Sequence, residues 1–264
     1  MGAFLAVFAA LAASETLAPR RDRAYRRRQR WPSNVGVATL NTILMRVFVP
    51  AGAVGFAVET GARQGGLFNN LGLPLYVAVP ASFVLLDLAI YLQHVMFHAV
   101  PLFWRVHRMH HADLDFDVTT GVRFHPIEIL LSLRIKLGLV VVLGPPAVVV
   151  LIFEIALNST SMFNHSNLRL TDRMDAALRT VLVTPDMHRV HHSIVGHETN
   201  SNFGFNLSWW DRLLGTYCPQ PAAGHEQMII GIDIFRDTTE LRLDRMLRQP
   251  FRSGLGDYPI RRAA

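Results

Sequence analysis

The sequence predicts an all-α, multi-pass integral membrane protein with a cytoplasmic helical cap that carries clustered histidines. Three observations predict it. Half of the 264 residues are apolar or aromatic and only 17% are charged, against roughly 25% in an average soluble domain. Five apolar segments lie between residues 1 and 163. Eight of the twelve histidines fall at 94–98, 107–111 and 188–192, at the ends of such segments or beyond them. A mean hydropathy of +0.25 argues against disorder and against a plain soluble enzyme. The single cysteine, Cys218, excludes an intrachain disulfide framework and a Cys-rich zinc module.

The basic balance of +6 does not point to nucleic acid. Only Lys136 among the 26 basic residues is lysine, and seven arginines crowd between Arg20 and Arg30, beside an apolar segment. That placement is first a topology signal, for a cytoplasmic loop. Met1–Leu17 is apolar but short, and its positive charges follow the apolar run, unlike those of a signal peptide. It reads as a short first membrane helix. Val35–Val58 holds only Arg46 as a charge, and Leu75–Phe97 only Asp87. Each is long enough to span a ~30 Å hydrocarbon core. Ile127–Leu143 and Ala147–Phe163 flank Gly144-Pro145-Pro146.

That last region reads as one helix or as two. One span over Leu137–Leu157 has the right length, but a Pro-Pro pair in its middle argues for a break. The clusters at 94–111 and 188–192 share a site only if the chain returns to the side it left, which requires an even number of crossings between them. The region is therefore expected to form a hairpin, 127–144 and 147–164, turning at Gly144-Pro145-Pro146. With Arg20–Arg30 cytoplasmic, the loop 59–74 lies outside. His94, His98, residues 101–128 and everything from Asn164 onward then lie on the cytoplasmic side. The expected organisation is N-terminal membrane helices over 1–74, a catalytic unit over 75–217 and a cytoplasmic tail over 218–264.

His94 and His98 stand at i and i+4, one turn apart on one helix face, as two ligands of a shared metal centre would. His107-x-x-His110-His111 recurs 81 residues later as His188-x-x-His191-His192. His165 closes the fifth apolar segment, and His125 sits in Phe124-His125-Pro126-Ile127-Glu128. A structural zinc takes four ligands. Eight or nine clustered imidazoles therefore imply two metals, and neutral imidazole alone does not choose among iron, zinc, copper and nickel. Asp87, Tyr91, His94 and His98 share one face, as do Glu154, Asn158, Ser161 and His165. Intramembrane acids are costly and usually functional. Asp87 and Glu154 are therefore expected to support the metal ligands or line their pocket. Asp113, Asp117, Asn202 and Asp211 are candidates to orient ligands, with a turn or cap role as the alternative. His197 and His225 are expected to be non-ligands, His225 on a solvated loop.

These boxes resemble those of the fatty acid hydroxylase/sterol desaturase superfamily. The flanking text is similar too: Phe103-Trp104-Arg105, Phe124-His125-Pro126-Ile127-Glu128, Thr184-Pro185-Asp186-Met187, Asn202-Phe203-Gly204 and Trp209 to Tyr217. The resemblance covers about residues 75–217. It implies a membrane oxygenase with a non-haem diiron centre, which attacks lipid C–H bonds with O2 as co-substrate. Its ligands would be His94, His98, His107, His110, His111, His188, His191 and His192, with His165, and His125 as a further candidate. Zinc can replace iron in isolated protein. No segment is long enough for a fused cytochrome-b5-type domain, so electrons are expected from a separate ferredoxin- or cytochrome b5-like donor. The lipid substrate enters from the bilayer, as a fatty acyl chain, sterol or related lipid. Hydroxylation and desaturation both stay open.

Two other classes fit less well. A metal transporter places ligands near the bilayer midplane, whereas these boxes lie beyond the helix ends. A zinc hydrolase of the H-E-x-x-H kind needs a carboxylate base beside its ligands, and the boxes hold none. Box convergence puts the C-terminus on the side of Arg20–Arg30, so a reporter fused after Ala264 is expected to be active in the cytoplasm. Activity on the opposite face would contradict the hairpin.

Overall fold

The computed structural model describes residues 2–256, so Met1 and the last eight residues of the 218–264 segment lie outside the described residues. The described chain is helical, with isolated bridges such as Pro19 with Leu168 but no strand. Its long helices are α1 (Gly2–Leu17), α2 (Arg27–Phe48), α3 (Gly52–Ala62), a short α4 (Leu67–Asn70), α5 (Leu75–Ala99), α6 (Pro101–His111), α7 (Pro126–Leu143) and α8 (Ala147–Asn164). Short helices follow: α9 (Asp172–Leu178), α10 (Pro185–His191), α11 (Gly196–Thr199), α12 (Trp209–Leu213), α13 (Gly224–Gln227) and α14 (Leu243–Arg248).

The boundaries follow local chemistry. Pro101, Pro126 and Pro185 each stand in the first turn of a helix, where a missing N–H costs nothing. Thr184 caps α10 by accepting from the Met187 N–H. Gly144 ends α7 at φ +65°, a left-handed conformation that glycine reaches without penalty. Pro145 and Pro146 then forbid continuation, and α8 starts at Ala147. The helix break expected at Gly144-Pro145-Pro146 is thus present.

The segment Val35–Val58 is not the single helix its hydropathy suggests. It is split between α2 and α3. Pro50 has no N–H for the helical ladder and clashes with the preceding turn, and Gly52 follows at φ +58°. The two pieces still run end to end along the molecule. Asn41 of α2 donates to the Phe124 carbonyl beside the histidines. Ala53 and Ala57 of α3 pack on Val140 of α7 and Val150 of α8. Gly66 closes against Gly144, where an added Cβ would meet backbone at 2.4 Å.

By length and composition, Arg27–Asn70, α5 and α8 are apolar enough to cross a membrane. α3 packs on both α7 and α8, which meet through Lys136 and Glu154, and α7 carries Glu128, Arg134 and Lys136. Val141, Val142, Val148, Leu151, Ile152 and Ile155 of α7 and α8 are exposed, the outward apolar surface expected of helices facing lipid. α1, at 16 residues, is a shorter apolar helix.

A cap of short helices covers one end. The segment after 217 does not trail from it. Met228 and Ile230 pack on Phe116, Ile232 on Trp104, and Met246 on Met109 and Val37. The arginine cluster, expected only as a topology signal, also builds this end. Arg30 is fully buried and grips Asp113 through Nε and Nη2 and Asp117 through Nη1, each at 2.7 Å. Arg27 holds the buried Glu15 of α1 at 2.8 Å, and Arg20 holds Asp186 at 2.9 Å. Removing one partner of a buried ion cluster leaves the other charges uncompensated. Arg30→Met is therefore expected to cost about 3–5 kcal/mol, measured by denaturation in detergent. Arg30→Lys should cost less, because it keeps the charge but not the fork.

Candidate metal centre

Four elements bring nine imidazoles to the cap end of the helices. The last turns of α5 give His94 and His98. α6 gives His107, His110 and His111. The residue ending α8 gives His165, and α10 with its cap residue gives His188, His191 and His192. All nine are buried, none more than 4% exposed. They form two groups, His94, His98, His107, His111 and His191, and His110, His165, His188 and His192. Within each group the ligand atoms lie within 4.8 Å of one another. Each H-x-x-H-H box divides between them: its i, i+4 pair joins one group and its middle histidine the other.

The ring nitrogens show what these groups can hold. His94 donates from Nδ1 to the Phe203 carbonyl at 2.8 Å, His191 to Ser201 at 2.6 Å, His165 to Ser161 at 2.6 Å and His110 to Arg123 at 3.3 Å. His98 Nδ1 faces Asn200 Oδ1 at 3.2 Å, and His107 Nδ1 faces Glu128 Oε1 at 2.7 Å. A carbonyl or carboxylate oxygen only accepts, so the ring proton resides on Nδ1 and Nε2 presents its lone pair. These Nε2 atoms face one another: His94 and His107 at 3.1 Å, His94 and His191 at 3.0 Å, His110 and His165 at 3.1 Å. Lone pairs opposed in a dry enclosure repel, and a cation between them removes the conflict. Among the described residues, His192 has no hydrogen-bond partner on either nitrogen. The donor set fits two imidazole-bound metal ions.

The carboxylates meet the expectation only in part: Glu154 lines the cavity, and neither it nor Asp87 touches a metal-ligating histidine. Glu128, in the first turn of α7, supports His107. In the sequence Glu128 stands only as the end of His125-Pro126-Ile127-Glu128, with nothing local to pair it with His107. Asp87 does not reach a histidine. It accepts from Asn206 Nδ2 at 2.8 Å, the Leu207 N–H at 3.2 Å and Trp210 Nε1 at 2.8 Å. It thereby holds the loop that carries Phe203. Glu154 pairs with Lys136 and lines the cavity, eleven residues of helix, about 16 Å, before His165. His125 lies outside both groups. Its Nδ1 accepts from the Ile127 N–H as the cap of α7, and Nε2 faces the Leu247 carbonyl at 3.3 Å.

The remaining polar candidates brace the site. Asp113 and Asp117 serve Arg30. Burial pushes the Asp113 carboxyl up, but Arg30 and Arg123 outweigh it and hold it at about 2. Asp211 accepts from the Phe203 and Gly204 N–H groups and from Thr216, fixing the carbonyl that receives His94. Burial raises its carboxyl to about 6 despite those bonds. Asn202 ties Met187 of α10 to Cys218. His197 is exposed. His225 is not on a solvated loop: it is buried, 3.6 Å from Asp186.

A cavity of about 430 Å³ reaches from His94 and His107 down between α2, α5, α7 and α8. Its wall is mostly apolar, with Ile90, Phe97, Leu133 and Leu157 among its lining.

Burial, and then repulsion among the rings, holds His110, His111, His188, His191 and His192 well below the usual histidine range. Burial likewise lowers His165 from 6.5 to about 3. Between these values the unfolded chain binds more protons than the folded one, so folding stability rises with pH there. Metal-free protein is expected to lose stability as pH falls through 6.5 toward 3. Its melting temperature should be several degrees lower at about pH 5.5 than at about pH 7.5. An unchanged value would contradict this.

A profile of the fatty acid hydroxylase family matches residues 79–216. Over 148 residues, 56% of this chain and 44% of the relative, the sequence is 32% identical to the ornithine lipid hydroxylase OlsE of Rhizobium tropici. It is 28% identical over 144 residues to alkylglycerol monooxygenase of Xenopus tropicalis, covering 53% of this chain and 30% of that one. It is 26% identical over 157 residues to the Homo sapiens alkylglycerol monooxygenase, covering 58% and 32%. The chain thus spans less than half the length of these curated relatives. No solved structure matches. The profile covers more than half of the chain, including all three histidine boxes and His165, and the chain belongs to the fatty acid hydroxylase family.

Proposed function

We propose that this protein is a membrane-bound diiron oxygenase that hydroxylates or desaturates a C–H bond of a bilayer lipid. One observation carries the reading: two adjoining groups of imidazole lone pairs face inward, and His94 and His107 of one group line an apolar cavity between the long helices. One iron would be held by His94, His98, His107, His111 and His191, and the other by His110, His165, His188 and His192. Two redox-active irons would supply the activation of O2 that an unactivated C–H bond requires. In hydroxylation one oxygen atom enters the C–H bond and the other leaves as water, with two electrons and two protons consumed.

The chain's own residues prepare that chemistry. Nδ1 bonds to fixed oxygens set the tautomer and aim of six of the nine rings. Glu128 makes His107 a stronger ligand by accepting a hydrogen bond from its Nδ1–H. Phe97 stacks on His107 and Phe124 on His110, keeping water off one side of each group. The apolar cavity admits a lipid without passage through water. Positive residues between Arg20 and Arg30 support a cytoplasmic cap, where a separate ferredoxin- or cytochrome b5-like protein would deliver electrons. Residues 75–217 would then be the catalytic unit, with 218–256 bracing it from outside.

Lipid extracts from cells expressing the wild-type chain and His191→Ala test the reading. A lipid one oxygen heavier or two hydrogens lighter should appear only with the wild type, and purified wild type should carry two metals per chain. Identical extracts would refute it. Glu128→Gln should retain part of the metal and lose activity by roughly 10–100-fold.

A further inference from the structure

The polar contacts of Asp87 set the depth of one piece of the cap. Asp87 stands at the middle of α5, with twelve residues on either side of it. A crossing of the ~30 Å hydrocarbon core takes about 20 residues. Wherever that stretch falls within α5, Asp87 lies at least seven residues, about 10 Å, inside its nearer end. Asn206, Leu207 and Trp210 all donate to the Asp87 carboxylate. Asn206 also accepts from Thr160 of α8, five residues before His165. Phe205 packs against Leu86 and Ile90 of α5 and Phe153 of α8. The segment that leads into α12 is therefore wedged between two membrane helices, deeper along both of them than the histidines.

For a loop in water this segment is inside out. Its polar groups turn inward. The Leu207 N–H goes to Asp87, the Ser208 N–H goes to the Val181 carbonyl, and the Asn206 carbonyl accepts from the Val183 N–H. Ser208 Oγ donates to the Arg179 carbonyl, and Trp209 Nε1 to the Thr180 carbonyl. Among the described residues, no buried side-chain nitrogen or oxygen of 206–214 lacks a partner. The side chains that point out are apolar: Val181, Trp209, Leu213 and Leu214 are exposed, Leu213 at 73%. Irregular backbone is tolerated at membrane depth only where protein meets its hydrogen bonds, and this segment satisfies that condition. Its one exposed charge folds back. Arg212 Nη1 donates to the Ser208 carbonyl, and the guanidinium lies 4.3 Å over the Tyr217 ring. Long basic side chains reach for the headgroups from an apolar stem, and Trp and Tyr favour the same zone.

We propose that residues 206–214, with Val181 beside them, insert into the leaflet on the histidine side, so that bilayer lipid covers this apolar face. Trp209, Leu213 and Leu214 lie against acyl chains, and Arg212 and Tyr217 stand at the headgroups. A segment that hydropathy assigns to the aqueous side is thus seated in the membrane. The depth of Asp87 argues against a soluble protein as the occupant, and a second copy of the chain is an outcome of the test. The proposal stands independently of the oxygenase reading.

Fluorescence quenching tests it. Leu213→Cys and Thr238→Cys, each in a Cys218→Ser chain, are labelled with a fluorophore in phosphatidylcholine nanodiscs. Thr238 stands on an exposed polar turn of the cap and reports on water. The label at Leu213 should lose most of its emission to a doxyl group on the lipid acyl chain and little to aqueous iodide. The label at Thr238 should do the reverse. Iodide quenching at Leu213 equal to that at Thr238 overturns the proposal. Shielding from both quenchers overturns it too, because a second copy would then cover the face.

A second measurement uses the unaltered chain and does not depend on the folding of the cysteine variants. Nanodisc lipid with a diazirine on its acyl chain is photolysed, and tandem mass spectrometry maps the insertions. Ile152 and Ile155 of α8, exposed on a membrane-spanning helix, serve as the reference. Insertion into Trp209, Leu213 or Leu214 as well as into α8 is the expected result. Insertion into α8 with none in 209–214 overturns the proposal.

Discussion

Opposed imidazole lone pairs set the terms for the rest of the molecule. Rings brought to 3.0–3.1 Å through Nε2 repel unless a cation lies between them, and each must be held from behind to stay aimed inward. The oxygens that hold them come from both the cap and the long helices: Phe203 and Ser201 from the loop after α11, Arg123 from the loop before α7, Ser161 from α8 and Glu128 from α7. Those oxygens are anchored in turn. Asp211 fixes the Phe203 peptide, Asp87 fixes the segment that follows, and Arg123 donates to the Met109 carbonyl on α6. The site is therefore a chain of supports whose outermost members are buried charges.

Arg30 is the member that ties this chain to the membrane helices. It stands in the second turn of α2, and its carboxylate partners follow α6 directly. α2 also contributes Asn41 to the cavity wall. The helix that docks the cap is thus one that lines the cavity reaching the histidines, so packing and the cavity wall share one element. The Pro50 break lies beyond both contacts and leaves them undisturbed.

Much of this was legible in the sequence. Helical character follows from apolar runs of membrane length. The break between α7 and α8 follows from Gly144-Pro145-Pro146. The histidine groups follow from i, i+4 and i, i+3 spacing. The carboxylates were harder, because a shared helix face says which way a side chain points and not what meets it there. Asp87 shares its face with His94, yet the loop at 206–210 reaches it first. Glu154 shares its face with His165, yet Lys136 on the neighbouring helix is closer. Glu128 was hidden for the opposite reason: its partner, His107, lies 21 residues back on another helix. Arg30 reads as one charge in a topology cluster, and nothing local says that Asp113 will bury it. Pro50, by contrast, was a readable break inside an apolar run.

The division of each H-x-x-H-H box between the two groups has a mechanical consequence. A single turn of helix cannot tilt toward one group without dragging its middle histidine away from the other. α6 and α10 each carry such a turn, so the two groups are stitched together twice. Neither half can drift, widen or be lost as an independent module, and the spacing between them is set by the rise of a helix instead of by a flexible loop. The centre behaves as one rigid two-chambered socket, with its dimensions written in the covalent geometry of the backbone.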